Sequence, residues 1–211
     1  MNGVLGRSCF EYKDWVLTDP AAPNMSPFPT CPVVIVLAAG RGERFAASGG
    51  TTHKLQALLA GKRVIDHVLD AVKASGLAYH VVEADPSRPG MGDSIAAGVK
   101  ATPSASAWLI LPADLPLISS STLCRIALAP ICAITVPMYQ GQRGHPVRFG
   151  SECAAGLLNL QGKQGADQLI RAQKATNSVA FIDVDDAGCV FDVDTLGDFA
   201  RAEAWLLCHP N

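Results

Sequence analysis

Short apolar runs alternate with amphipathic segments along most of the chain. Continuous apolar runs at 33–39 (VVIVLAA) and 107–113 (AWLILPA) predict strands buried on both faces. Between them, helical spacing predicts helices over 64–76, closed by Gly76, and 91–101, with a further strand over 78–84. This order indicates βαβ units. We therefore predict an α/β class with a Rossmann-like three-layer fold around a mostly parallel sheet.

The second half of the chain predicts a short antiparallel element. The runs CAITVPM at 132–138 and HPVRF at 145–149 are strand-like and are joined by the turn QGQRG. The remaining pattern predicts helices over 119–129, 152–160, around 165–173 and over 195–207, with a strand over 179–184. Residues 1–32 lack a clear period and end in a proline-rich stretch, so we expect an N-terminal extension before a single domain at 33–208.

Charge and cysteine usage exclude several classes of protein. The net charge of -2 and pI near 6.2 argue against a general nucleic-acid binder or a polybasic membrane protein. No apolar run reaches the roughly 20 residues of a membrane span, and the N-terminus lacks a signal-peptide core. The seven cysteines are scattered without zinc-ligand spacing. We expect a cytoplasmic protein with reduced thiols.

A glycine-rich loop follows the first predicted strand. The stretch VLAAGRGERFAASGGTTHKL at 36–55 has glycines that can turn backbone N–H groups toward an anion, and basic residues at Arg41, Arg44 and Lys54. Phe45 replaces the third glycine of the dinucleotide fingerprint, and no P-loop motif occurs in the chain. The loop is compatible both with a simple turn and with a phosphate cradle.

Two aspartates are candidate ligands of a hard cation. Asp114 follows the buried run at 107–113, at the sheet edge where ligands bind in open α/β folds, although it equally suits a turn. Asp192 alternates with Phe191 and Val193 in a short strand-like stretch that can point its carboxylate toward Asp114. The next residues, Asp194 and Thr195, are candidates for the N-cap of the last helix.

Two further motifs have an ordinary structural interpretation as well as a functional one. The sequence GMGDS at 90–94 opens a helix with two glycines and Ser94, which suits nucleotide contacts but equally suits a capped helix. His145 precedes a proline and a strand, where a lone histidine is more often structural than catalytic.

Six motifs in order resemble the MobA-like nucleotidyltransferases of molybdenum-cofactor maturation. They are LAAGRGERF with HKL, GMGDSIAAGV, LPADLPLI, GHPVRF, LQGKQGADQLI and DVDTLGDF, and they extend from Val33 to Phe199. The LAAG and GMG-x-S elements look like the cytidylyltransferase branch. The segment FAASGGTT is longer than the loop usual in the family, so the resemblance requires it to loop out for Lys54 to align.

The resemblance implies a magnesium-dependent enzyme that transfers CMP from CTP to molybdopterin and releases pyrophosphate. It implies catalytic roles for Arg44, Lys54 and Asp114, and Mg²⁺ ligation by Asp114 and Asp192. The implied nucleotide-binding residues are Ala38, Ala39, Gly40, Arg41, Gly42, Gly92 and Ser94. A client molybdoenzyme is a further implied partner.

Three alternatives remain open. Two keep the enzyme and change its substrate: guanylyl transfer to the same pterin, or nucleotidyl transfer to a sugar phosphate. The third is a nucleotide-binding carrier that delivers the pterin without catalysis. No catalytic triad is evident, which agrees with phosphoryl chemistry, since this chemistry needs mainly positioning and charge neutralisation.

Overall fold

The computed structural model of the protein describes residues 31–40, 42–130, 132–174 and 177–209. Most of the predicted N-terminal extension, residues 1–30, and the loop residue Arg41 lie outside these ranges. The assignment of 33–208 to one domain stays a prediction. Across the described ranges, no helix is both long and apolar enough to span a lipid bilayer.

The described strands and helices follow the predicted order closely. The strands are β1 (Val33–Ala38), β2 (Leu58–Leu59), β3 (Lys62–Arg63), β4 (Ala78–Glu83), β5 (Ala107–Pro112), β6 (Ile134–Tyr139), β7 (Gln142–Arg143), β8 (Val147–Gly150) and β9 (Val179–Asp183). The helices are α1 (Glu43–Ala47), α2 (Val64–Ala74), α3 (Met91–Ala101), α4 (Ser120–Ala127), α5 (Ala154–Leu158), α6 (Asp167–Lys174) and α7 (Leu196–Cys208).

The central sheet has the order β4-β1-β5-β8-β6-β7, with β9 also paired to β6. Strands β4, β1 and β5 pair in parallel, as do β6 and β9. Strand β8 runs antiparallel to both β5 and β6, and the short β7 pairs antiparallel with β6. The predicted three-layer α/β fold, mostly parallel with an antiparallel element in the second half, is confirmed.

Side chains that alternate along the strands fill a core on each face of the sheet. In β1, Val34 and Val36 belong to one core, together with residues of α2, α4 and α7. Ile35 points to the other face and packs with residues of α3, α5 and α6. Every second residue therefore faces the opposite helical layer, as expected of a strand covered on both sides.

The structure also contains elements that the sequence pattern did not predict. Helix α1 and the β2–β3 hairpin lie within the stretch between β1 and α2. The prediction of a short strand around Phe191–Val193 is wrong, because these residues lie between elements and form no strand. Between α2 and α3 only β4 is present, which forms one edge of the sheet.

The ends of β1 and β5 bring two candidate segments together. Leu37 and Pro112 are partners in the parallel ladder, and the N–H of Ala113 donates to the carbonyl of Leu37 at 3.1 Å. The glycine loop after β1 and Asp114 after β5 therefore start from adjacent points. This is the carboxyl edge of the sheet, where open α/β folds bind ligands.

We predict that Leu109→Ala in β5 destabilises the fold by about 2–5 kcal/mol, because it leaves a cavity in a packed core. Leu109 is fully buried, whereas 73% of Leu207 is exposed. Leu207→Ala is the matched control and should change the free energy of unfolding by no more than about 0.5 kcal/mol. Urea unfolding measures both values, and similar losses in the two variants would contradict the assignment of the core.

Candidate active site

The glycine loop after β1 is fixed by His53. The Nε2 atom of His53 lies 2.8 Å from the carbonyl oxygen of Gly40, and its Nδ1 atom accepts a hydrogen bond from the N–H of Leu55 at 3.3 Å. Because Nδ1 accepts, Nε2 carries the proton and donates to Gly40. Gly42 has a φ of 65°, a left-handed conformation that favours glycine. The hydrogen bond from His53 and the left-handed backbone at Gly42 together define the shape of the loop.

The long segment after Arg44 folds against the start of α7. The rings of Phe45 and Phe199 lie 6.0 Å apart, and the Oγ atom of Ser48 accepts a hydrogen bond of 3.0 Å from the N–H of Leu196. These contacts hold the FAASGGTT segment against α7. The chain then reaches Lys54, which lines the cavity at the carboxyl edge of the sheet.

Lys54 lies between two carboxylates at the sheet edge. Its Nζ atom is 2.6 Å from Oδ2 of Asp114 and 2.8 Å from Oδ1 of Asp194. Lys54 is only 7% exposed and Asp194 only 8%. Buried charges of this kind are tolerated because they are paired. Lys54 therefore connects the end of β5 to the segment that precedes α7.

Arg44 completes the ion-pair network from the solvent side. Its Nη1 atom is 2.5 Å from Oδ2 of Asp194, and its side chain is 76% exposed. Both oxygens of Asp194 therefore contact a cation. Asp114, by contrast, contacts Lys54 through Oδ2.

Asp192 lies beside Asp194 on the same side of the chain. Val193 between them is fully buried, and its N–H donates to the carbonyl of Asp114 at 2.9 Å. Neighbouring side chains of an extended chain point in opposite directions, so the two aspartates share the side that Val193 leaves. Their carboxyl groups are hydrogen-bonded to each other.

Burial and neighbouring charges shift the pKa values of Lys54, Asp194 and Asp192. Burial lowers the pKa of Lys54, but Asp114 and Asp194 outweigh that effect and raise it above the ordinary value of 10.5. Burial raises the pKa of Asp194, yet the hydrogen bond and charge of Lys54 bring it below its usual value. Partial burial, followed by the hydrogen bond and charge of Asp194, raises the pKa of Asp192. Carboxylates placed this closely favour a shared proton or a bound cation.

The opposite side of the site is built where α3 begins. The N–H of Gly92 donates to the carbonyl of Gly162 at 2.9 Å. Asp93 accepts from the N–H of Gly90 at 3.1 Å and from the N–H of Gly162 at 3.0 Å. A Cβ atom on Gly90 would lie 1.9 Å from the Gly162 carbonyl oxygen. We call this contact between residues 90–93 and Gly162 the glycine junction.

An open cavity of about 390 Å³ lies between the glycine loop and the glycine junction. Most of the residues predicted for the site line it: Ala39, Gly40, Gly42, Arg44, Lys54, Ser94 and Asp114. The lining also includes residues that were not predicted, among them Met91, Lys163 and Asp194. The structure thus brings together parts of the chain that are more than one hundred residues apart in sequence.

Three predicted residues, Ala38, Gly92 and Asp192, are not part of the cavity lining. Ala38 belongs to β1 and packs against the core, and Gly92 contributes to the glycine junction. Ser94 is buried, and its hydroxyl donates to the carbonyl of Gly90 at 3.2 Å. Arg41 lies outside the described residues.

His145 lies at the same sheet edge, just before β8, and is not part of the cavity lining. Burial lowers the pKa of its imidazole, and its ring hydrogen-bonds the backbone of Ile110. Its Nδ1 atom is buried without a partner among the described atoms.

Comparison with known proteins identifies the family. A family model described as the MobA-like NTP transferase domain matches residues 72–177, half of the chain. The protein belongs to the MobA-like NTP transferase family. The matched range includes Asp114 and the glycine junction, whereas the glycine loop and the aspartates before α7 lie outside it. No curated protein matches the sequence.

Solved structures share the fold. Rv0371c from Mycobacterium tuberculosis H37Rv is 24% identical, with a TM-score of 0.69 over 84% of this chain and 99% of that one. A nucleotidyl transferase from Methanothermobacter thermautotroptrophicus is 21% identical, with a TM-score of 0.72 over 85% and 99%. Molybdopterin-guanine dinucleotide biosynthesis protein A from Archaeoglobus fulgidus is 17% identical, with a TM-score of 0.57 over 83% and 99%. At these identities the likeness establishes the fold.

The carboxylates of the site suit a hard divalent cation. Asp114, Asp192 and Asp194 supply oxygen donors, and two of them already share one cation, the ammonium of Lys54. Among the described residues, no group of three acidic, histidine or cysteine side chains forms a complete metal site. One crystal structure of Rv0371c is a complex with manganese.

Asp194 is the main residue that the sequence reasoning left outside the site. Two sequence patterns could have placed Asp194 in the site. Thr195 and Asp198 form a reciprocal capping box at the start of α7, which leaves Asp194 free of a capping role. Asp194 also alternates with Asp192 around an apolar residue, which predicts a common side. His53 and Lys163 lie within the motifs HKL and LQGKQGADQLI, but neither residue was predicted to belong to the site.

We predict that Gly90→Ala destabilises the protein by about 1–3 kcal/mol, because its Cβ atom would overlap the backbone of Gly162. Gly165→Ala is the matched control, since its Cβ atom would meet only Met91 Sδ at 3.5 Å, an ordinary contact. Urea unfolding of both variants measures the difference. Equal free energies of unfolding would show that the glycine junction is not closely packed.

The raised pKa of Lys54 predicts a loss of stability in alkaline solution. Its contribution is complete below pH 10.5, the ordinary lysine value, and disappears as the pH rises through the higher value in the folded protein. Lys54→Arg keeps its charge in this range, so its free energy of unfolding should fall less steeply with pH than that of the wild type.

Urea unfolding across this alkaline range compares the two slopes. Cys153 and Cys189, whose pKa burial raises to about 11, contribute equally to both proteins. Lys62→Arg, in the exposed pair with Asp70, is the control and should follow the wild type. Identical slopes in wild type and Lys54→Arg would rule out this role for Lys54.

Proposed function

We propose that this protein transfers CMP from CTP to molybdopterin, with Mg²⁺, and releases pyrophosphate. The observation that carries the proposal is the convergence, around one cavity, of the glycine loop, the cations Arg44 and Lys54, and the carboxylates Asp114 and Asp194. Nucleotidyl transfer needs this combination, because its transition state spreads negative charge over phosphate oxygens. Family membership supports the reaction class.

The choice of CTP and molybdopterin rests on the sequence resemblance. The LAAG and GMG-x-S elements look like the cytidylyltransferase branch, and their residues Ala39, Gly40 and Ser94 line the cavity. In the proposed reaction, the terminal phosphate of molybdopterin attacks the α-phosphorus of CTP. A new P–O bond forms, the bond to the bridging oxygen breaks, and pyrophosphate leaves with that oxygen.

The chain's own residues would position and neutralise the reacting groups. Backbone N–H groups around Gly40 and Gly42 would bind the triphosphate, with Arg44 at the solvent side. Lys54 holds Asp114 and Asp194 in place and adds positive charge near the phosphates. Asp114 and Asp192 would hold Mg²⁺, which supplies charge neutralisation on phosphate oxygens. No protein nucleophile is required.

The proposal also covers the compartment in which the protein acts and the enzyme that receives its product. The described cysteines are free thiols, which supports a cytoplasmic protein. The nucleotide-modified pterin would pass to a client molybdoenzyme.

The deciding experiment measures pyrophosphate release with molybdopterin, Mg²⁺ and each nucleoside triphosphate in turn. We expect release with CTP well above that with GTP or ATP. Release with GTP would instead identify a guanylyltransferase. Release with a sugar phosphate in place of molybdopterin would identify a sugar-phosphate nucleotidyltransferase. If none of these pairs releases pyrophosphate, the proposal is wrong.

The Asp114→Asn variant distinguishes an enzyme from a carrier that delivers the pterin without catalysis. It should lower turnover about 100-fold or more, because it removes one charge at the metal site. Circular dichroism melting would verify that the variant is folded. Asp70→Asn, on the exposed face of α2, is the matched control and should keep full turnover. An Asp114→Asn variant that still delivers pterin to a molybdoenzyme at the wild-type rate would indicate a carrier.

A further inference from the structure

Lys163 is a cation of the cavity that lies within the LQGKQGADQLI motif but has no assigned role and stands outside the ion-pair network. It lies in the segment that joins α5 to α6 and lines the cavity beside Gly90 and Met91. Its neighbour Gly162 is fixed to α3 by hydrogen bonds through both its N–H and its carbonyl group. Gly162 also has a φ of 58°, which favours glycine. The backbone that carries Lys163 is therefore held firmly at the cavity wall.

Among the described residues, Lys163 differs from the other two cations of the cavity in having no carboxylate partner. Lys54 pairs with Asp114 and Asp194, and Arg44 pairs with Asp194. Within the described residues, no carboxylate lies at ion-pair distance from Lys163. Lys163 can therefore give its charge to a ligand without first breaking an ion pair.

Lys163 and the glycine loop lie on opposite walls of the cavity. The glycine loop continues into the segment that packs on α7, on one side of the sheet. Lys163 is attached to the start of α3, whose residues pack in the core on the other side. A ligand in the cavity thus has Arg44 and Lys54 on one side and Lys163 on the other.

We propose that Lys163 binds the phosphate of the acceptor substrate. The inference rests on the proposed function. In nucleotidyl transfer, the attacking oxygen and the leaving pyrophosphate lie roughly in line on opposite sides of the α-phosphorus. If the glycine loop binds the leaving side, the acceptor approaches from the wall that carries Lys163. A flexible ammonium suits a phosphate monoester, which presents several oxygens and a negative charge.

The test compares Lys163→Gln with the wild type in steady-state pyrophosphate release. At saturating CTP, the KM for molybdopterin should rise about tenfold or more, because one charge-assisted hydrogen bond is lost. The KM for CTP should stay within about twofold of the wild-type value, as expected of a residue that does not bind the nucleotide. Lys163→Arg keeps the charge and should recover most of the acceptor affinity.

Lys100→Gln, at the exposed end of α3, is the matched control and should change neither constant. An unchanged KM for molybdopterin in Lys163→Gln would overturn the inference. A KM for CTP that rises by the same factor would also overturn it, because Lys163 would then bind the nucleotide.

Calorimetric binding of molybdopterin, without nucleotide, separates this inference from the proposed function. If the wild type binds molybdopterin and Lys163→Gln binds it about tenfold more weakly, the inference holds even when no nucleotide gives turnover. That combination would refute the proposed reaction alone. If the wild type does not bind molybdopterin, or both proteins bind it equally, the inference is wrong.

Discussion

The ammonium of Lys54, buried between Asp114 and Asp194, is the interaction on which the site depends. These three residues come from the loop after β1, the end of β5 and the segment before α7. Removing Lys54 would take the buried cation away from both aspartates, and removing either aspartate would leave the buried ammonium with one counter-charge instead of two. Weakening a buried pair in this way costs more free energy than an exposed ion pair supplies. The network therefore fixes the relative positions of three distant segments at the carboxyl edge of the sheet.

That network also explains the shape of the cavity. One wall consists of the glycine loop. His53 hydrogen-bonds to the backbone of this loop, and the segment that follows the loop packs against α7. The other wall is the start of α3, joined to Gly162 by the glycine junction. The first wall carries Arg44 and Lys54, whose charges are paired with aspartates. The second wall carries Lys163, which has no such partner among the described residues. A cavity of this kind can bind two anionic substrates on opposite sides of one reacting centre.

Most of the fold was predictable from the sequence because its signals are local. Buried strands such as β5 require apolar runs, and Gly76 follows the C-cap of α2. Ser119 caps α4, as the serine-rich start predicts. The site was predictable only where a motif carried it, as for Gly40 and Asp114. Asp194 alternates with Asp192, which hints at a shared side, but its ion pair with Lys54 could not be predicted, because the two residues lie 140 residues apart and long-range pairs leave no periodic signal. Helix α1 was missed because a helix of five residues is too short to show a period.

The glycine junction has a consequence for exchanging parts between relatives. The start of α3 and the segment around Gly162 are about seventy residues apart in sequence, yet a carbonyl of one occupies the space where a side chain of the other would stand. A chimera that replaces one segment alone brings in a surface without its complement. The two segments therefore form a single exchangeable unit, and a transplant intended to alter substrate choice has to carry both.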